Sequence, residues 1–311
     1  MNGLYNVSSN PHTRSKVTSS SIMFTVIVSL LPAAGYGIFR FGVKALILIA
    51  VTVASAVVFE SLFDFITKKK NTVNDFSAIV TGLLLALNLP SSAPWWIGVV
   101  GAGFAIVVVK MLFGGLGQNF MNPALGGRCF LVISFAKIMT DFSVDGVASP
   151  TPLQVLRAGG EVDLISMITG ATGGTIGETS AIALLIGAAI LIICGVIDLI
   201  IPGMYILTTL VFIGLFAGRG FDPYFLAAHF AGGGLVFGAF FMATDYVTRP
   251  ISKLGQFVYG ILLGILTGVF RVFGPSGEGV SFSIILGNLL VPLIDRVTAP
   301  AYFGKGGKRY E

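Results

Sequence analysis

Charge is what this chain of 311 residues has least of. Asp, Glu, Lys and Arg together make up 11%, against roughly 25% in an ordinary soluble domain. A soluble chain this long could not cover its core with so few charges. Cysteine and histidine are nearly absent. Cys129 and Cys194 lie far apart in apolar segments, which excludes a disulfide framework and a CxxC metal site. With only His12 and His229, a multi-His metal centre is excluded as well. There is no iron–sulfur ligand pattern, and GxG patterns such as Gly101–Gly103 follow no strand and so read as helix-packing glycines. Apolar residues are plentiful: 55% of the chain is hydrophobic, with 26 Phe and 41 Gly, and mean hydropathy is +0.92. The composition predicts an all-α, polytopic membrane protein.

The formal charge of +5 then reads as Lys and Arg in inner loops, with lipid rather than nucleic acid as the surrounding partner. The polar first twenty residues, followed by a long apolar run from Ile22, predict no cleavable signal. Ten runs approach the roughly 20 residues needed to cross a bilayer. They are Ser21–Phe39, Val43–Ile66, Ala78–Leu89, Trp95–Phe113, Ala124–Ile138, Ser180–Ile197, Ile200–Ala217, Tyr224–Ala243, Phe257–Phe273 and Phe282–Leu293. The third, fifth and tenth are too short to cross unaided. The chain accordingly divides into an N-terminal segment (1–20), five spans (21–140), a polar insertion (141–179), five more spans (180–298) and a C-terminal tail (299–311).

Cations orient it. With the N-terminus inside, the inner side receives 12 Lys and Arg, Lys110 among them, and the outer loops receive 5: Arg40, Lys44, Arg157, Arg219 and Arg271. That asymmetry favours both termini inside, with the acidic insertion outside. At a shift of 156, Val80, Gly82 and Pro94 fall on Val236, Gly238 and Pro250, and FGGLG (113–117) meets FGPSG (273–277) at 160. Five spans per repeat is odd, so the second copy must be inverted. Inverted repeats place broken helices and a site at their interface, as in urea-channel-like folds.

Three constellations could carry chemistry. In DGVASPTPL (145–153), Pro152 holds Thr151 out of the α region and Pro150 fixes its own φ, so the Thr151 hydroxyl is presented on a stiff, extended, polar segment. The alternative is a plain surface turn. In TGATGGTIGETS (169–180), Gly173 and Gly174 and a helix starting near Glu178 could offer N–H groups to a phosphate; alternatively Thr175 or Thr179 merely caps that helix. In NPALGGRCF, Asn122 and the intramembrane Arg128 could serve a reduced flavin or its phosphate, or hold a broken helix. Asp245, with Thr244, invites the same two readings, and its closeness to Arg249 favours a structural ion pair.

DGVASPTPL resembles the flavin-attachment motif of the D subunits of Rnf electron-transfer complexes, which link ferredoxin and NAD, and of the related B subunits of sodium-pumping NADH:quinone reductases. Asp145, Ser149 and Thr151-Pro152-Leu153 match it; Ala148 and Pro150 stand where a hydroxyl residue and an alanine are usual. DFSAIVTGLLLALNLP (75–90), NPALGGRCFLVISF (122–135), GGTIGETSAIALLIG (173–187), ATDYVTRPIS (243–252) and GPSGEGVSFSIILGNLLVPLID (274–295) are similar to the same family, in the same order. The resemblance implies a bacterial inner-membrane subunit of an ion-translocating oxidoreductase, inactive alone. It also implies FMN joined through its phosphate to Thr151 by a separate flavin transferase, and a second, non-covalent riboflavin. Partner subunits carrying iron–sulfur clusters and flavins would complete the electron path. Thr172, within TGAT, is the lesser candidate for attachment. A solute channel or transporter without a redox role is the competing reading, although a channel has no need of the DGVASPTPL loop.

Overall fold

A computed structural model describes residues 17–68, 72–142, 150–274 and 279–300. Among these residues the chain is helical and contains no named strand; one isolated bridge joins Pro90 and Thr175. In chain order the helices are α1 (Ser19–Phe41), α2 (Val43–Thr67), α3 (Ser77–Leu87), α4 (Trp95–Met111), α5 (Pro123–Ser134), α6 (Ala136–Met139) and α7 (Pro152–Arg157). They continue as α8 (Leu164–Thr169), α9 (Ala181–Ile193), α10 (Ile200–Phe216), α11 (Pro223–Ala231), α12 (Leu235–Met242), α13 (Lys253–Phe273) and α14 (Val280–Thr298).

Four helices, α1, α2, α13 and α14, are long and apolar enough to cross a membrane, and the pair α11 and α12, bent by 60°, is a fifth candidate. The shorter apolar helices fall short of a bilayer: the 11 residues of α3 reach about 16 Å of the roughly 30 Å hydrocarbon core. One sequence expectation changes here. The run 282–293, read as too short, belongs to a 19-residue helix that continues through Pro292. A proline can sit inside a spanning helix where neighbouring groups re-satisfy the freed carbonyl. The run 124–138, by contrast, is broken as its shortness suggests, because Phe135 leaves helical geometry at φ −130°, ψ 46°.

Packing relies on missing side chains. A Cβ on Gly264 would lie 2.5 Å from Thr208 Cβ, and one on Gly260 or Gly268 would meet α10 as closely. This i, i+4, i+8 stripe lets α13 lie against α10, the close approach that drives association where lipid removes the hydrophobic incentive. On the other half, α2 packs on α3 and α4; Gly98 admits the Thr52 hydroxyl, whose Oγ1 would be 2.1 Å from a Cβ there. The helix α1 packs on α9, and α5 on α14.

The insertion 141–179 is less of a free loop than its polarity suggests. Leu153, Leu156 and Met167 from α7 and α8 join Ile213, Phe225 and Ala228 in a small second core. That core presses α7 onto α11.

Candidate functional site

Thr151 stands at the head of α7, with Pro152 in the first helical position, at φ −65°, ψ 150°. This is the extended conformation that a following proline imposes. Gln154 Oε1 accepts from the Thr151 N–H at 3.2 Å. The reciprocal contact of a capping box faces the Thr151 side chain without closing into a hydrogen bond, so among the described residues Thr151 Oγ1 is buried with no partner. Contrary to the sequence expectation of an exposed polar segment, Thr151 is only 4% exposed. Burial follows from Leu153, two residues on, which anchors the helix in the second core. Asp145 and Ser149 lie outside the described residues.

Thr151 lines a cleft of about 400 Å³, part of it open to solvent, together with Thr172, Gly173, Gly174, Glu178, Thr179 and residues 231–233. Five of the nine candidate residues read from the sequence (Thr151, Gly173, Gly174, Glu178 and Thr179) therefore meet in one place. The alternative acceptor Thr172 meets them there too.

Part of the loop from 171 to 180 serves to hold α3. Ile176 N–H donates to Leu89 O at 3.0 Å and Gly177 N–H to Leu87 O at 2.8 Å. These groups close the C-terminus of α3 and are not offered to a phosphate. The helix after the loop starts at Ala181, not near Glu178, and its cap is Ser180, which accepts from Ala183 N–H at 3.3 Å. Neither Thr175 nor Thr179 caps it: Thr175 Oγ1 is buried without a partner, and Thr179 Oγ1 donates to Ile176 O.

Charge stands directly behind the cleft. Arg128, on α5, donates from one guanidinium nitrogen to Asn88 Oδ1 (2.8 Å), Ser281 Oγ (2.9 Å) and Glu178 Oε1 (3.3 Å). It thereby ties the end of α3, the start of α14 and the cleft wall together. Glu178 is thus paired, and its Oε1 would lie 2.3 Å from a Cβ on Gly234, whose φ is +66°. Only glycine fits between that carboxylate and the start of α12. Opposite, Arg271 donates to His229 O (2.5 Å), Gly232 O (2.8 Å) and Gly233 O (3.1 Å). It satisfies the carbonyls released where α11 bends into α12, as a break at membrane depth requires.

Sequence reasoning placed Arg271 in an outer loop and Lys110 among inner-side cations; both are 2% exposed. Lys110, in the π-helical part of α4, contacts Glu60 Oε2 at 2.5 Å and Ser77 Oγ at 2.6 Å. Thr72 Oγ1 donates to Glu60 Oε1 (2.7 Å) or Asp64 Oδ2 (2.9 Å). Removing these two buried residues turns the cation count from 12 and 5 into 11 and 4, which leaves its sign unchanged. The signal available in the sequence was the placement of each cation inside an apolar run, Lys110 within 95–113 and Arg271 within 257–273.

Asn122 does not join the Thr151 cleft. It caps α5, accepting from Ala124 N–H at 3.0 Å, and lines a second cleft of about 740 Å³ with Ser77, Thr81, Lys110, Asn119 and Asp245 among apolar side chains. Asp245 makes no ion pair with Arg249. Its carboxylate accepts from Thr248 Oγ1 at 3.1 Å, while the Arg249 guanidinium sits 4.6 Å over the Tyr246 ring. Burial holds the Asp245 carboxyl above its usual range, against hydrogen bonds from Val247 and Thr248 and the charge of Arg249.

Among known proteins, the family model described as the NQR2, RnfD, RnfE family matches residues 6–304. The D subunit of the Na(+)-translocating ferredoxin:NAD(+) oxidoreductase complex of Acetobacterium woodii is 47% identical over 307 residues, covering 96% of this chain and 95% of the relative. Its proton-translocating counterpart in Clostridium ljungdahlii is 39% identical, covering 97% and 96%. The D subunit of the ion-translocating oxidoreductase complex of Salmonella paratyphi A is 33% identical, covering 97% and 99%.

Proposed function

This chain belongs to the NQR2, RnfD, RnfE family, and on that premise we propose that it is the flavin-bearing membrane subunit of an ion-translocating ferredoxin:NAD oxidoreductase complex. Covalent FMN is carried on Thr151. The observation behind this reading is the Thr151 hydroxyl, buried in a cleft and without a hydrogen-bond partner. A buried hydroxyl without a partner is disfavoured, whereas an esterified oxygen has no proton left to donate. The residues present therefore fit a phosphoester at this atom.

Bound there, FMN supplies the one-electron chemistry that side chains lack, and a covalent tether keeps its effective concentration high. The chain's own residues hold the site. Gln154 fixes the Thr151 backbone, and Gly232 and Gly233 leave room for close approach. Arg128 neutralises Glu178, which would otherwise repel a phosphate, and Arg271 lends positive charge from behind the glycines. The cleft lined by Thr81, Asn119, Asn122 and Asp245 is the candidate seat for a non-covalent riboflavin. Partner subunits supply the iron–sulfur and nicotinamide chemistry, and both termini lie inside with the Thr151 cleft outside.

The inverted five-helix repeat is part of the same proposal. In its favour, α1 packs on α9 and α5 on α14, while the α2–α4 contact has its counterpart in α10–α13.

In-gel flavin fluorescence tests the attachment, with the transferase co-expressed. Wild type should give a fluorescent band after denaturation and Thr151→Ala a dark one. An equally bright Thr151→Ala band refutes the assignment.

A further inference from the structure

Three of the five cations that the sequence sets on the side of the acidic insertion converge on one pocket. Arg157, Arg219 and Arg271 line it with Phe225, His229 and Val272, around about 740 Å³ of empty space that is partly open to solvent. Arg271 forms the buried floor, while Arg157 and Arg219 are exposed at the rim. Among the described residues, no Asp or Glu lines the pocket. Among the described residues, neither Arg157 nor Arg219 has a carboxylate within ion-pair distance.

Part of this charge has a local explanation. Arg157 donates to Val272 O at 3.1 Å and also to Gly274 O, at the end of α13, where the helix dipole favours a cation. Arg219 lies over the Phe225 ring at 5.2 Å. Three guanidinium groups around one pocket repel one another, and at a partly buried site water screens that repulsion only in part. His229, 5% exposed, lines the same pocket and keeps Nδ1 buried without a hydrogen-bond partner. Guanidiniums around a pocket whose described lining holds no acid call for an anionic partner, to which the unpartnered His229 nitrogen can donate in its Nδ1–H tautomer.

We propose that this pocket, between the ends of α7, α10, α11 and α13, binds a phosphate-class anion, with the headgroup of an anionic phospholipid as its source. Guanidinium forks match phosphate oxygens in pairs, which favours phosphate over a compact halide. The lipid source follows from the pocket's surroundings. Leu215 and Phe216 precede Ala217, Phe221 follows Arg219, and Phe273 follows Val272; these four are 62%, 55%, 58% and 66% exposed. Acyl chains would run along that apolar rim while the headgroup enters among the arginines. The inference does not depend on flavin at Thr151.

Thermal unfolding of the intact purified complex in mixed micelles tests it, with phosphatidylglycerol, phosphatidylcholine and inorganic phosphate as probes. Phosphatidylglycerol should raise the unfolding temperature to saturation, and inorganic phosphate should compete with it. The Arg157→Gln/Arg219→Gln double variant should need at least about tenfold more lipid for the same shift, as expected when charge-assisted contacts are lost. Saturation by inorganic phosphate alone, with no added effect of lipid, supports the anion site and overturns the lipid source. Equal shifts in wild type and double variant, or none in either, overturn the site. Should the double variant fail to assemble, native mass spectrometry of the wild type decides. Retention of phosphatidylglycerol over phosphatidylcholine, displaced by phosphate, supports the proposal, and equal retention of both lipids refutes it.

Discussion

The pocket around Lys110 and the cleft around Thr151 both bury polar groups among short helices, but they are completed differently. At Lys110 the ammonium has its partners inside the chain, Glu60 and Ser77, and Thr72 Oγ1 reaches Glu60 or Asp64, while Asp64 Oδ1 is buried without a partner among the described residues. At Thr151 the charges are paired one step back, through Arg128 and Glu178, and the group facing the cleft has no partner. The Lys110–Glu60 pair is closed and holds helices together. The Thr151 cleft is open at one atom, which is where chemistry can be added.

That contrast can be broken first at Lys110. Glu60→Ala leaves a buried ammonium without its carboxylate and should destabilise the protein by about 3–5 kcal/mol, read as a lower unfolding temperature and poor complex yield. The double variant Glu60→Leu/Lys110→Met should recover most of the loss. A single variant no worse than the double would show that the pair is not closed in the sense argued.

Arg271→Met comes next. It strips partners from the carbonyls of His229, Gly232 and Gly233 and should cost about 2–3 kcal/mol, the scale of leaving buried acceptors unsatisfied. Hydrogen exchange should then rise first at the bend between α11 and α12. Unchanged exchange there would mean that the break is held by something else.

Asp245 gives a smaller effect with a defined sign. Its carboxyl is raised by burial above the ordinary value of 3.8, so the protonated form is favoured in the folded protein and ionisation is penalised. Its stabilising contribution is complete below the unfolded pKa and is lost as pH rises through the folded one. Asp245→Asn should therefore be more stable than wild type at neutral pH, with the gap closing as pH falls toward about 4. A gap that widens on acidification would reverse the assignment.

How much was legible in the sequence differs between the same two places. Pro152 alone predicted the extended conformation of Thr151, and the Gly-rich segment 169–180 pointed to the cleft wall. Burial of Thr151 was not legible, because it depends on Leu153 reaching Ile213 and Phe225, 60 and 72 positions away. The cap at Ser180 was hidden for a related reason: Ile176 and Gly177 are drawn off by the end of α3, and the helix starts later than local composition suggests. Lys110 and Arg271 looked like loop cations because their charge was visible and their partners, on other segments, were not. The long spans were readable from apolar length, whereas the bend at 232–234 needs Arg271 to stabilise it.

The central claim is that Thr151 is the attachment atom's residue, and the structure sharpens its test by placing Thr172 in the same cleft. Thr151→Ala should cost the fold less than about 1 kcal/mol, since its cap hydrogen bond is not formed and ordinary cap losses are about 0.5–2 kcal/mol. Peptide mass spectrometry of the wild-type chain, purified with its complex and its transferase present, is the direct measurement. The account predicts an FMN phosphoester on the peptide carrying Thr151, absent in Thr151→Ala and retained in Thr172→Ala. The same mass on Thr172, or an unmodified Thr151 peptide beside a flavin-loaded chain, would contradict it.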